Sequence, residues 1–200
     1  MGKFNILLLL AIVFIGFACT SKKNKHNTEI CISAEDIIDS IKQNEMPEEY
    51  GYLLQVGDKA PDFTVELTNG NKVSLSDLKG KVVMLQFTAS WCPVCRREMP
   101  HIEQEIWQKH KNNTDFFLMG VDRDEPLEKV KKFEEDIKIT YPLALDPNAD
   151  VFGLFAVKRA GVTRNVVIDK DGRIAFLTRL YKPEEFENMK KVIDYLLCRD

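Results

Sequence analysis

The chain has little histidine and no surplus of positive charge. It holds 3 His in 200 residues, and its 28 Lys and Arg are outnumbered by 31 Asp and Glu, for a net charge of -3. A nucleic-acid binder normally carries a basic face, so that class is set aside. The histidines are also poorly placed for metal: His26 stands in a polar stretch near the start, and His101 and His110 fall along one expected helix. A zinc or copper site would want a second close cysteine pair or a pair with nearby histidines, and neither is present. Internal repeats and low-complexity segments are absent as well. What remains, 44% hydrophobic and 30% charged residues, is the composition of one globular domain with a sizeable core.

The N-terminus departs from that composition. Lys3 is followed by FNILLLLAIVFIGF, an apolar run of 14 residues, then by Ala18, Cys19 and the polar stretch TSKKNKHNTE. Such a run is short for a bilayer span and suits the h-region of a secretory signal. A small residue before a cysteine at the expected cleavage point resembles the lipobox of bacterial lipoproteins, with Gly16 and Phe17 in place of the commoner Leu and small residue. The resemblance implies a signal peptide over residues 1–18, lipidation of Cys19, and a domain facing the periplasm from a bacterial membrane. Cys31 precedes the domain and Cys198 stands three residues from the C-terminus, and both a disulfide between them and two separate thiols stay open.

Residues 19–54 read as a tether carrying a short helical segment. SAEDIIDSIKQ, from Ser33, places Ile37, Ile38 and Ile41 at helical spacing behind a capping serine, and is expected to be an appendage. The domain proper, 55–200, opens with alternating polar and apolar residues on both sides of Asn69-Gly70, an N-terminal β-hairpin extension. KVVMLQF after Gly80 and DFFLMGVD read as strands buried on both faces. Helices are expected after each, through Met99, Ile102 and Ile106 and then from Pro126. A short helix near 149–155, a hairpin around Lys170-Asp171-Gly172 and a last helix from Pro183 complete the pattern. Strands alternating with helices and one terminal hairpin define an α/β fold, a central mixed sheet flanked by helices.

The chemistry concentrates in FTASWCPVCRREMP, Phe87 to Pro100. Cys92 falls where a buried strand ends and a helix begins, where unpaired backbone N–H groups and the helix dipole favour an anion and lower a thiol pKa. Cys95 comes one helical turn later on the same face, where it can attack a mixed disulfide formed by Cys92 and release the substrate. Pro93 suits the first helical turn, where no N–H is missed, and Trp91 can cover one side of the sulfurs. A redox pair is therefore the leading reading, ahead of a metal site or two inert core thiols.

APDF, NGNKVSLSDLKGKVVMLQF, WCPVC, Pro100 and DKDGRI together resemble the thioredoxin-like thiol–disulfide oxidoreductases of the TlpA/ResA type over roughly residues 56–197. That resemblance implies a thioredoxin-like fold, Cys92 as nucleophile, Cys95 as resolving thiol, and a helix kinked at Pro100. It implies no cofactor beyond the redox-active Cys92–Cys95 disulfide, protein disulfides or dithiols as substrates, and a membrane electron donor. Two positions depart from the pattern. Thioredoxins place a buried Asp six residues before the first cysteine, where this chain has Gln86, which cannot titrate; Glu98, three residues after Cys95 as in ResA-like proteins, is the candidate for proton handling. The family's cis-proline falls at Thr163, so the loop in which Val162 and Thr163 would meet an extended substrate lacks the ring that fences the sulfurs.

Two other activities compete. A thiol peroxidase shares the APDF and LKGKVVML segments, but Thr88 stands one residue too far from Cys92 for a TxxC motif. Arg164, its would-be peroxide-binding cation, reads as a solvated charge beside a loop. A copper-delivery protein of the same fold would need a wider cysteine spacing and a histidine downstream, and none follows His110.

Overall fold

The computed structural model describes residues 34–199. The apolar run of residues 4–17, Cys19 and Cys31 lie outside the described residues. Seven strands form one mixed sheet in the order β2-β1-β5-β4-β3-β6-β7. In chain order these are β1 Thr64–Leu67, β2 Lys72–Ser74, β3 Val82–Thr88, β4 Phe116–Arg123, β5 Leu143–Asp146, β6 Arg164–Ile168 and β7 Ile174–Arg179. The helices are α1 Ala34–Lys42, α2 Pro93–His101, α3 Leu127–Ile137, α4 Phe152–Phe155 and α5 Pro183–Cys198.

The centre of the sheet is β3, VVMLQFT, with all seven residues buried. It pairs in parallel with β4 and antiparallel with β6, and this double-sided burial is why its sequence is continuously apolar except at Gln86 and Thr88. Phe87 on this strand meets Phe152 and Phe155 edge-on or tilted at 5.4 and 5.5 Å, closing the core beneath α4. On the sheet faces, α5 lies against β7 and β3, while α3 lies against β5 and α2.

A single register row crosses the middle of the sheet. Gly120 on β4, Gln86 on β3, Asn165 on β6 and Thr178 on β7 are successive partners across four strands. Side chains in one register row point to the same face, so an otherwise apolar sheet carries a polar stripe there. Gly120 is required in that row: a Cβ at its position would run into the Leu143 side chain and sit 3.6 Å from the Gln86 amide oxygen.

The helix α2 begins with Pro93 in its first turn and contains Pro100, which cannot supply a backbone donor to the preceding turn. The chain responds by changing helical register: a π-helical stretch, Ile102–Trp107, comes directly after it and ends in the turn Gln108–His110.

The segment around α1, expected to be an appendage, is seated on the domain. Ile37 is 4% exposed and α1 packs on α5. The Asn44 side chain donates to the Leu177 carbonyl at 3.0 Å and accepts from the Leu177 N–H at 2.7 Å, pairing with β7 as another strand would. Tyr52 donates to the Thr178 carbonyl at 2.6 Å. β7 is an edge strand with open backbone groups, and Asn44 occupies those of Leu177, while the Tyr52 hydroxyl reaches carbonyls of both β7 and β6.

Candidate functional site

Strand β3 ends at Thr88, and a short turn, in which the Cys92 N–H donates to the Ala89 carbonyl at 3.0 Å, delivers Cys92 to the N-cap of α2. The turn is clamped at Ser90. Its N–H and hydroxyl both donate to the Glu125 carboxylate, at 2.5 and 2.8 Å, and its carbonyl accepts from Arg96 Nε at 2.7 Å. Cys92 and Cys95 form a disulfide with Cα atoms 5.3 Å apart. The Cys95 N–H donates to Cys92 Sγ at 3.1 Å, so the first sulfur takes the place of an oxygen cap on one of the orphan donors of the helix. Cys92 is 4% exposed and Cys95 is fully buried.

Around the sulfurs, Pro93 and Trp91 are exposed, the indole 56% so, with the Arg123 guanidinium 5.8 Å from its centroid. Arg123 also donates to the Ala160 carbonyl at 2.8 Å, tying the Trp91 side of the site to the loop that carries Val162 and Thr163. Both of those residues are buried. No cis peptide occurs among the described residues, so Thr163 enters the loop through a trans bond. Its Oγ1 lies 3.1 Å from Cys92 Sγ and 3.3 Å from Cys95 Sγ.

Glu98 points into the sheet, not into solvent, and is 1% exposed. It sits over the polar row: Oε1 accepts from Asn165 Nδ2 at 2.7 Å and Oε2 from Gln86 Nε2 at 3.5 Å. Asn165 Nδ2 also donates to Thr178 Oγ1 at 2.9 Å, and Gln86 Oε1 accepts from the Tyr141 hydroxyl at 2.7 Å. Burial pushes the Glu98 carboxyl from 4.5 up to about 7, only partly offset by the bonds from Asn165 and Gln86. Tyr141 is raised well above the ordinary phenol value, first by burial and then by the nearby Glu98 charge. Gln86, which cannot titrate, thus hands its neighbour on the helix a hydrogen bond and leaves the ionisation to Glu98.

Arg164 is not the solvated charge the sequence led one to expect. It is fully buried, with the guanidinium 4.4 Å from the Tyr52 ring centroid and 5.2 Å from that of Phe152. Nη2 donates to the carbonyls of Gly161 and Tyr50 at 2.8 and 3.0 Å. A cation can be buried here because aromatic faces and carbonyls replace its hydration. Thr88 is buried too, its hydroxyl donating to Met99 Sδ at 3.4 Å. Among the described residues, no three His, Cys, Asp or Glu are grouped to hold a metal ion.

Sequence reasoning missed Tyr141, Asn165, Thr178 and the Ser90–Glu125 clamp. Tyr141, Asn165, Thr178 and Glu125 reach the site from distant parts of the chain, and only the folded sheet and its loops bring them to it. Glu98 had a local signal: Cys95, Glu98, Met99 and Ile102 fall at i, i+3, i+4, i+7, and all four are buried.

A mixed seven-stranded sheet, a central strand feeding a CxxC disulfide at a helix N-terminus and a buried carboxyl beside the helix define a thiol–disulfide oxidoreductase of the thioredoxin-like fold. The chain belongs to the Redoxin family, which it matches over residues 55–193. It is 35% identical over 121 residues to the thiol-disulfide oxidoreductase ResA of a Bacillus cereus strain, covering 60% of this chain and 68% of that protein. It is 31% identical over 121 residues to ResA of Bacillus subtilis, covering 60% of this chain and 65% of that one. Among solved structures, a Bacteroides thetaiotaomicron protein assigned as a protein disulfide isomerase superposes with a TM-score of 0.73 at 58% identity, over 74% of this chain and 94% of that one. The thioredoxin domain of a thiol-disulfide oxidoreductase from Bacteroides vulgatus superposes with a TM-score of 0.60 at 28% identity, over 70% and 99% of the two chains.

Proposed function

We propose that the protein is a lipid-anchored, extracytoplasmic oxidoreductase that reduces or isomerises the disulfides of other proteins through Cys92 and Cys95. The observation that carries the assignment of roles is the asymmetry of the pair: Cys92 Sγ is at the helix N-cap, accepts the Cys95 N–H and retains some exposure, whereas Cys95 is fully buried. In the reduced protein the Cys92 thiolate attacks a substrate disulfide and expels one substrate thiolate. The Cys95 thiol gives up its proton and its sulfur attacks Cys92 in the mixed disulfide, which releases the second substrate thiolate and leaves the Cys92–Cys95 disulfide. Two electrons pass to the substrate, and a membrane electron donor restores them. Glu98, with its carboxyl raised to about 7, is half-protonated near neutral pH and exchanges the Cys95 proton. Trp91 and Pro93 offer exposed apolar surface beside Cys92, and the loop at Val162 and Thr163 receives the extended substrate chain. The anchor rests on the apolar run of residues 4–17 and on Cys19 after Ala18.

The test is to remove the resolving thiol. With Cys95→Ser, a reduced protein mixed with insulin or an extract of envelope proteins is expected to accumulate mixed disulfides through Cys92, identified by mass spectrometry, while wild type turns over. Absence of trapped species together with rapid consumption of hydrogen peroxide by wild type would favour a peroxidase. In cells, the mature protein is expected to begin at Cys19 and to carry acyl groups there, read by mass spectrometry and by labelled-palmitate incorporation that Cys19→Ala abolishes; an unacylated mature protein would overturn the lipid anchor and leave the redox reading intact.

A further inference from the structure

We propose that the Thr163 hydroxyl is a hydrogen-bond donor to the Cys92 thiolate of the reduced protein, replacing a ring that could only fence the sulfurs with a group that sets their reactivity and potential. The inference rests on the reading of Cys92 as the nucleophile. Thr163 Oγ1 is within 3.1 Å of Cys92 Sγ and 3.3 Å of Cys95 Sγ, and these sulfurs are its only hydrogen-bond partners among the described residues. A buried hydroxyl with no oxygen acceptor is costly unless another state of the protein offers a better one. A disulfide sulfur is a weak acceptor, and a thiolate is a strong, charge-assisted one. Reduction therefore supplies what the hydroxyl lacks. The Cys92 thiolate would then accept from two donors already in place, the Cys95 N–H and the Thr163 O–H.

The loop holds the hydroxyl there without its help. The Thr163 carbonyl accepts from the Leu180 N–H and from Arg179 Nη1, both at 3.2 Å. Gly161 makes the second bond feasible, because a Cβ there would collide with the Arg179 guanidinium. Removing the side-chain oxygen thus leaves the backbone anchored. The charged groups on the elements packed around the pair, Asp122 apart, bond to partners other than the sulfurs. Glu98 on α2 is held by Asn165, Arg96 on α2 by Ser90, Arg123 on β4 by Ala160, Arg164 on β6 by Gly161 and Glu125 after β4 by Ser90 and Lys129; Arg179 on β7 is the group on Thr163, and Asp122 on β4 is buried beside Glu125, whose charge helps raise it. They form a background common to every variant at position 163.

Thr163→Val removes the donor and keeps the shape. Thiolate absorbance and the rate of iodoacetamide alkylation of Cys92, each followed against pH in the full-length reduced protein, should show a Cys92 pKa higher by about one unit, tenfold in the ionisation constant. The disulfide potential should fall correspondingly by about 30 mV for that tenfold change. This difference should vanish at pH values where both proteins hold Cys92 as a thiol, which a merely structural role would not produce. Thr163→Ser should restore the wild-type pKa and potential. An unchanged Cys92 pKa in the folded valine variant, or a serine variant that fails to restore it, would overturn the proposal, as would alkylation of Cys95 before Cys92. None of these readouts uses a protein substrate. Loss of insulin reduction with the pKa shift intact would therefore fault the proposed function alone, and normal turnover with no shift would fault this inference alone.

Discussion

Glu98→Gln removes the charge from the most enclosed carboxyl of the site while keeping its shape. Burial raises that carboxyl from 4.5 to about 7, so the folded protein holds the proton more tightly than the unfolded chain does. An acid raised in this way costs nothing below its unfolded value, and the fold loses stability as pH climbs through the interval up to its folded value. At about 1.4 kcal/mol per pH unit, the interval from 4.5 to about 7 amounts to at most about 3.5 kcal/mol. The amide never ionises. Its oxygen can still accept from Asn165, and the Gln86 contact that it would lose is 3.5 Å long and worth little. Urea unfolding of the oxidised proteins, followed by tryptophan fluorescence, should find the two equally stable near pH 4.5 and the variant about 1–3 kcal/mol more stable above pH 7. Asp122, Asp146 and Glu134, also raised by burial, act equally on both proteins and cancel in the difference. A difference that stays constant across this range would refute the reasoning, because it would mean that Glu98 titrates alike in the folded and unfolded chains. Resolution of a pre-formed mixed disulfide should likewise lose its inflection near pH 7 in the variant.

Asp122 is fully buried, and burial, then the charge of Glu125 and a hydrogen bond to it, raises it from 3.8 to about 8. Asp122→Asn should therefore gain on wild type as pH rises between those values, by about 1–3 kcal/mol at pH 8 in urea unfolding, and no gain would contradict its burial as a raised acid beside Glu125. Arg164→Met keeps the bulk between Tyr52 and Phe152 but forfeits three bonds to two carbonyls, and should cost about 2–4 kcal/mol; a neutral result would show that burying the cation cancels what it ties together. Asn44→Ala should cost about 1–2 kcal/mol and speed proteolysis between residues 34 and 54, and an unchanged cleavage rate would mean that α1 holds the segment without the β7 pairing.

The elements legible in the sequence were those with a local cause. The unbroken apolar β3, the start of α2 at Pro93 and of α5 at Pro183, and the β6–β7 pair around Lys170-Asp171-Gly172 arise from burial on two faces, from prolines that need no donor, and from turn chemistry. Arg164 was misread because a charged residue beside a glycine-containing loop has no local mark of burial. Its partners Tyr50 and Tyr52 come from more than a hundred positions earlier. The seating of the 34–54 segment was hidden for the same reason, since Asn44 and Tyr52 reach the edge of β7 only after the sheet exists. Glu98 lay between these cases. The helical phase set by Cys95, Met99 and Ile102 already marked it as buried, and the charged neighbours Arg96 and Arg97 masked that phase.

Both departures from the expected pattern are answered by side chains in direct contact with the position that changed. Where a titrating aspartate would stand on the central strand, Gln86 spans the gap between Tyr141 and Glu98, so the ionisable group moves from strand to helix without leaving the polar row. Where a proline would face the sulfurs, Thr163 brings a hydroxyl to both of them through a trans bond and keeps its backbone tied to β7. The two groups share no hydrogen-bond partner: Glu98 bonds to Asn165 and Gln86, and Thr163 Oγ1 to the sulfurs alone. In the proposed roles, the carboxyl governs where a proton goes and the hydroxyl governs how well a thiolate is held. Because the two share no partner, Glu98→Gln and Thr163→Val should act additively, each changing its own readout and leaving the other standing.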